Sequence, residues 1–147
     1  MLLFPADPLV VCPLPYFHGL VPAGFPSPAA DYVEGRLDLN EHLIHRPAAT
    51  FFVRISGNSM IGAGIFSGDL AVVDRSLTPQ RGDVVVAIVN GELTIKTLQW
   101  DGPRRQAMAL RLEAANPAYE PIPIVDGDEL QIWGVVTATI HQRRRGD

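Results

Sequence analysis

Asp83-Val84-Val85-Val86-Ala87-Ile88-Val89-Asn90-Gly91-Glu92-Leu93-Thr94-Ile95-Lys96 is the stretch from which the architecture can be read. Its first half is a continuous, valine-rich apolar run of a length suited to a buried strand. Asn90-Gly91 follows at once. Both residues tolerate positive φ, and Asn-Gly between two apolar runs is the strongest short-range signal for a β-hairpin. The partner strand is Glu92–Trp100. On either side the pattern repeats: Phe51–Ser56, Asp69–Asp74 (entered by the turn Phe66-Ser67-Gly68), Gln106–Glu113 and Glu129–His141 all read as strands. Pro, Gly and Asp separate nearly all of these runs, so the folded body is expected to be mainly β.

The hairpin has a chemical consequence. Strand side chains alternate, so Leu93, Ile95 and Thr97 share one face while Thr94, Lys96 and Leu98 share the other. Lys96 is thus flanked by Thr94 and Leu98 rather than by charges. An exposed edge lysine, which deters aggregation, explains such a position as well. A buried lysine would do something different. Desolvation disfavours the ammonium and can lower its pKa from about 10.4 toward about 7, where the amine accepts protons. The natural counterpart is Ser59, in Ser56-Gly57-Asn58-Ser59-Met60 directly after the apolar run Phe51–Ile55. A serine hydroxyl needs an adjacent base to act as a nucleophile. A serine in a Gly-containing turn and a lysine on an apolar strand are what a serine–lysine peptidase requires.

The rest of the composition bounds the alternatives. A chain of 147 residues, 47% hydrophobic and 19% charged, can form one domain with a substantial core. The net charge of −4 supplies no general basic field for nucleic acid, and Arg143-Arg144-Arg145 reads as a short solvated tail. Cys12 is the sole cysteine, so neither an intrachain disulfide nor a cysteine-based metal site can form. His42 and His45 could share a helical face, but a surface helix explains them better than a metal site. No cofactor and no metal are expected. Met1-Leu2-Leu3-Phe4 lacks the features of a signal peptide, and no run reaches the ~18 apolar residues of a spanning helix, so a cytoplasmic protein is expected.

Eight of the thirteen prolines fall within residues 1–50. Proline lacks an amide donor and fixes φ, which excludes regular sheet interior there. Residues 1–30 are accordingly read as an extended arm and residues 31–147 as the β-rich domain. One short helix is expected near Leu39–Ile44, with Asp38 as N-cap and Glu41 as capping-box partner.

Taken in order, Ser56-Gly57-Asn58-Ser59-Met60, Gly68-Asp69-Leu70, Gly82-Asp83-Val84-Val85-Val86-Ala87 and Lys96-Thr97-Leu98 resemble the LexA-type self-cleaving serine–lysine peptidases. Asn116-Pro117-Ala118-Tyr119-Glu120-Pro121-Ile122 resembles the family's Asn-x-x-aromatic-x-Pro-Ile segment, and Ile132-Trp133-Gly134-Val135-Val136 its last core strand. No helix-turn-helix pattern precedes Ser59. Together with Gly24–Glu34 and Asp38-Leu39-Asn40, this places the resemblance in the UmuD-like branch, the accessory subunits of error-prone translesion DNA polymerases in the SOS response. It covers roughly residues 20–140 of the chain.

The resemblance implies a compact peptidase domain of curved sheets behind a cleavable arm. It implies Ser59 as nucleophile, Lys96 as general base, the backbone amides of Ser59 and Asn58 as oxyanion donors, and Ala23-Gly24 as the scissile bond. It also implies a homodimer, an UmuC-like polymerase partner and stimulation by a RecA–single-stranded DNA filament, with no membrane association and no sequence-specific DNA binding. The chain departs from the branch at Ala23, where cysteine is familiar, at Asn58, where Asp is more usual, and at Thr97, where a second basic residue is frequent. Ala-Gly is itself a LexA-type cleavage pair. Two other readings are a non-cleaving dimeric binding module with a vestigial Ser59–Lys96 pair, and a truncated LexA-like repressor.

Overall fold

The computed structural model describes residues 10–17, 20–26 and 35–144. The chain forms two compact units, Met1–Pro47 and Ala48–Asp147. The expected arm boundary at residue 30, His18 and Arg145 lie outside the described residues.

In the first unit, β1 (Pro13–Tyr16) pairs antiparallel with β2 (Gly35–Asp38) in a two-stranded sheet. The prolines do not prevent this. Pro13 and Pro15 are two residues apart, so their missing N–H groups lie on one side of the strand, and Leu14 and Tyr16 keep their donors on the other. Helix α1 (Leu39–Leu43) follows, and one oxygen of Asp38 accepts from the Asn40 amide at its N-terminus. The other oxygen accepts from Cys12 N–H at 3.0 Å, and Asn40 Nδ2 donates to the Val10 carbonyl at 2.9 Å. The cap therefore also fastens the chain leading into β1. The expected Asp38 cap is present, but the bond runs to Asn40, and the Glu41 half of the capping box is not part of it.

The second unit is mainly β, as its alternation requires. Strands β3 (Thr50–Arg54), β4 (Leu70–Asp74), β5 (Val84–Val89), β6 (Glu92–Asp101), β7 (Met108–Glu113), β8 (Ile122–Pro123) and β9 (Leu130–Ile140) form one sheet in the order β3-β4-β9-β5-β6-β7-β8. Every pairing is antiparallel. The β5–β6 hairpin closes on Asn90 (φ 49°) and Gly91 (φ 84°), the left-handed pair that a two-residue turn demands. Asn90 also receives the Glu129 amide on Oδ1 and gives its own N–H to the Glu129 carbonyl, tying the hairpin tip to the start of β9.

Strand β9 is central, flanked by β4 and β5, and its register shifts once against each: at Val72/Val73 on β4 and at Val86/Ala87 on β5. Such bulges bend a strand and increase its twist. Apolar side chains cover both faces. Ile55, Met60, Ile65, Ala71, Val73, Val86 and Trp133 form one cluster; Val85, Ala87, Leu98, Trp100, Leu112 and Val135 form the other. Consecutive residues such as Val85 and Val86 thus fall in different cores, which explains why β5 reads as an unbroken apolar run instead of an alternating one.

Candidate active site

Ser59 and Lys96 are thirty-seven residues apart and reside on elements that are not neighbours. Ser59 follows β3, and Lys96 is on β6; three strands separate these in the sheet. In a flat sheet four strand spacings would put β3 and β6 about 19 Å apart. Instead Lys96 Nζ lies 2.9 Å from Ser59 Oγ, so the sheet curls and the segment after β3 crosses toward β6. The ends of the two strands face each other across a cleft of about 290 Å³ lined by Val53, Ser56, Val86, Leu93, Thr94 and Ile95.

The lysine is deeply held. Lys96 is only 8% exposed, paired with Val85 on β5 and on the same strand face as Leu98 and Trp100. Its ammonium donates to three oxygens: Ser59 Oγ, Thr94 Oγ1 at 2.8 Å and the Ile95 carbonyl at 3.1 Å. None of these carries a charge. Burial therefore pushes the Lys96 pKa below its ordinary value, and no counter-ion among the described residues restores it. The alternative of an exposed edge lysine does not apply.

Local turns hold the serine. Ile55 N–H donates to the Asp69 carbonyl and Gly68 N–H to the Ile55 carbonyl, extending the β3–β4 pairing up to the turn. Gly57 has φ 95°, a conformation that side-chain-bearing residues rarely adopt, and its N–H donates to Ser67 Oγ. Met60, at 1% exposure, anchors the far side of the turn in the core, and a 3-10 turn, Ile61–Ala63, follows. The Ser59 carbonyl accepts from Ala115 N–H at 2.8 Å, and Gly62 N–H donates to the Ala115 carbonyl at 2.7 Å. Asn116 Nδ2 donates to the Asn58 carbonyl at 2.9 Å.

A buried carboxylate stiffens the loop behind the serine. Asp69 accepts from the Phe66 amide and from His141 Nδ1. Burial opposes its ionisation, but the Phe66 amide, His141 and Arg143 outweigh that and keep the carboxyl below its usual value.

Of the residues expected at the site, Ser59, Asn58 and Lys96 come together. Ala23 and Gly24 belong to the first unit, in an exposed bend, with Leu20, Val21 and Phe25 each more than 90% exposed beside them. A Cβ added at Gly24 would meet nothing within 4 Å among the described residues. Sequence reasoning missed the contacts made by Ala115 and Asn116. In the sequence Asn116 stands out only as part of a motif, and nothing in its spacing says which carbonyl it reaches. It likewise placed Thr94 beside Lys96 without assigning it the hydrogen bond.

Chemically, a hydroxyl touching a buried amine can attack an acyl group once the amine is neutral. Known proteins agree with this chemistry. The Peptidase S24-like family matches residues 15–137. Protein SamA of Salmonella typhimurium is 50% identical over 147 residues, covering 100% of this chain and 99% of that protein. Protein ImpA of Escherichia coli is 46% identical over 138 residues, 88% of this chain and 85% of its own. Protein MucA of Escherichia coli is 41% identical over 127 residues, 86% and 84% respectively. The chain belongs to the Peptidase S24-like family, as a self-cleaving serine peptidase of the UmuD-like kind that serves SOS mutagenesis.

Proposed function

We propose that this chain severs its own Ala23-Gly24 bond with Ser59 as nucleophile and Lys96 as general base, and that the shortened product joins an error-prone polymerase. The observation that carries the reading is the 2.9 Å contact between Ser59 Oγ and the Nζ of a buried lysine that has no counter-ion among the described residues. Neutral Lys96 takes the Ser59 proton as Oγ bonds to the Ala23 carbonyl carbon. The amides of Ser59 and Asn58 receive the negative charge on the carbonyl oxygen, and being fixed they need no reorganisation. The C–N bond then breaks. The Gly24 nitrogen leaves with the proton that Lys96 had taken, as a new N-terminus. Water hydrolyses the ester on Ser59 and releases residues 1–23.

On this reading residues 1–30 carry the substrate and residues 31–147 the peptidase. The arm is its own substrate at high effective concentration, so affinity needs little pocket. Pro22 and Pro26 restrain it and lower its ordering cost. The expected partners are a second copy of the chain, an UmuC-like polymerase and a RecA–single-stranded DNA filament that stimulates cutting, all in the cytoplasm. Among the described residues no helix is long and apolar enough to cross a membrane. The test is to incubate the purified chain with and without such a filament and weigh the fragments. A fragment beginning at Gly24, absent from Ser59→Ala, is expected; a Gly24 fragment from the alanine variant would remove Ser59 as nucleophile.

A further inference from the structure

Two carbonyls flank the backbone of Ser59, and one short segment after β7 holds both. Ala115 N–H takes the Ser59 carbonyl, and Asn116 Nδ2 takes the Asn58 carbonyl. The orientation of the Asn116 amide is itself fixed, because its Oδ1 accepts from Ala118 N–H at 3.0 Å in an Asx turn. Only the Nδ2 end is left to face Asn58. The Ala115 carbonyl accepts from Gly62 N–H, which locks the segment to the 3-10 turn that follows the serine.

A peptide unit is planar, and among the described residues none is cis. The Asn58 C=O and the Ser59 N–H belong to one such unit and point in opposite directions. The grip on the Asn58 oxygen, from Asn116 Nδ2 at 2.9 Å and more weakly from Ile61 N–H at 3.5 Å, therefore sets where the Ser59 N–H points. An oxyanion donor works only if it lies 2.7–3.1 Å from the developing negative oxygen, and losing one such donor costs about 10²–10³ in rate. We propose that Asn116 is a positioning residue that clamps the Asn58–Ser59 peptide so that the Ser59 N–H faces the oxyanion. It touches neither substrate nor the reacting atoms. The inference rests on Ser59 being the nucleophile.

The test uses the full-length chain, with self-cleavage rates measured from pH 6 to 10.5 and thermal melts for each variant. Asn116→Ala removes the donor. Asn116→Asp keeps an oxygen for Ala118 N–H and so keeps the Asx turn, but turns a second oxygen toward the Asn58 carbonyl. Both are expected to lower the high-pH plateau about 10–100-fold, with Asp at least as slow as Ala. For Asn116→Ala the midpoint of the pH profile should stay at the wild-type value, because the Lys96–Ser59 contact is untouched and no charge is added; the Asp carboxylate can raise it. An Asn116→Asp chain that folds and cleaves at the wild-type plateau overturns the proposal. So does a shifted midpoint in Asn116→Ala with the plateau recovered at high pH, which would route the effect through Lys96. If neither variant folds, Asn116 is a structural residue and the proposal falls. Ser59→Ala runs in parallel: a Gly24 fragment from it condemns the nucleophile assignment and not the clamp.

Discussion

At Lys96 the sign of the pH effect follows from burial. The folded chain disfavours the ammonium, so neutral amine accumulates at a lower pH than for a free lysine. Spontaneous cleavage should rise with pH and level off below the ordinary lysine value; a rate that stays flat from pH 6 to 10 would exclude lysine as the base. Lys96→Arg should lose about 10²–10⁴ in rate at every pH, since guanidinium does not give up its proton. The same burial predicts a stability effect. Between the folded and unfolded pKa values the unfolded chain binds the extra proton, so the lysine's penalty is full at and below the folded value and disappears as pH rises toward the unfolded one. Lys96→Met should therefore melt higher than the parent at pH 7, with the gap narrowing by pH 10. Melting curves of both proteins at the two pH values decide this, using Ser59→Ala as the common background to prevent cutting.

Among the elements, the close packing of the 3-10 turn against the segment after β7 is the most exacting. A Cβ on Gly62 would sit 2.5 Å from the Ala115 carbonyl oxygen, and backbone cannot step aside as a flexible side chain can. Gly62→Ala should cost about 1–3 kcal/mol of stability and slow cleavage, because the displaced segment also holds Ser59. Denaturation midpoints and cleavage rates of the folded variant measure the two effects separately. Asn90→Gly makes a contrasting case: φ remains accessible, but the side-chain bonds to Glu129 and Asp128 disappear. Stability should fall by about 1 kcal/mol with the cleavage rate unchanged.

These elements also show what could be read in advance. The hairpin was legible because Asn90-Gly91 has few other uses, and the six long strands because apolar runs are punctuated by Pro, Gly and Asp. Two-residue β8 was not, since a strand that short carries no period. The β1–β2 pairing was hidden by Pro13 and Pro15, whose spacing is compatible with an edge but gives no signal for one. The Ser59–Lys96 pair was legible as residue types on suitable elements. The Asn116 bond was not, because it depends on how the sheet curls, and the two bulges in β9 that bend it leave no mark in a hydrophobic pattern.

For the whole molecule, cutting and its consequence can be separated. Gly24→Val puts a β-branched side chain beside the attacked carbonyl and should block cleavage, although a Cβ there meets nothing within 4 Å among the described residues. A chain consisting of residues 24–147 should need no processing. Compared in cells that lack the native subunit, the shorter chain is expected to support damage-induced mutagenesis and the Gly24→Val chain is not. Equal support from both would mean that cleavage at this bond is not the activating switch.

The three oxygens around Lys96 Nζ also decide how the protein must be handled. An ammonium has three protons, and Ser59, Thr94 and Ile95 accommodate all three. A neutral amine has two protons and a lone pair, and the Ile95 carbonyl has no hydrogen to offer that lone pair. Only the two hydroxyls can do so, and of these only Ser59 is the proposed nucleophile. Acid therefore acts as a preservative, holding a purified sample intact, and alkali starts its decay. Shelf life, read as the fraction of full-length chain after a fixed time in each buffer, becomes a direct titration of one buried amine.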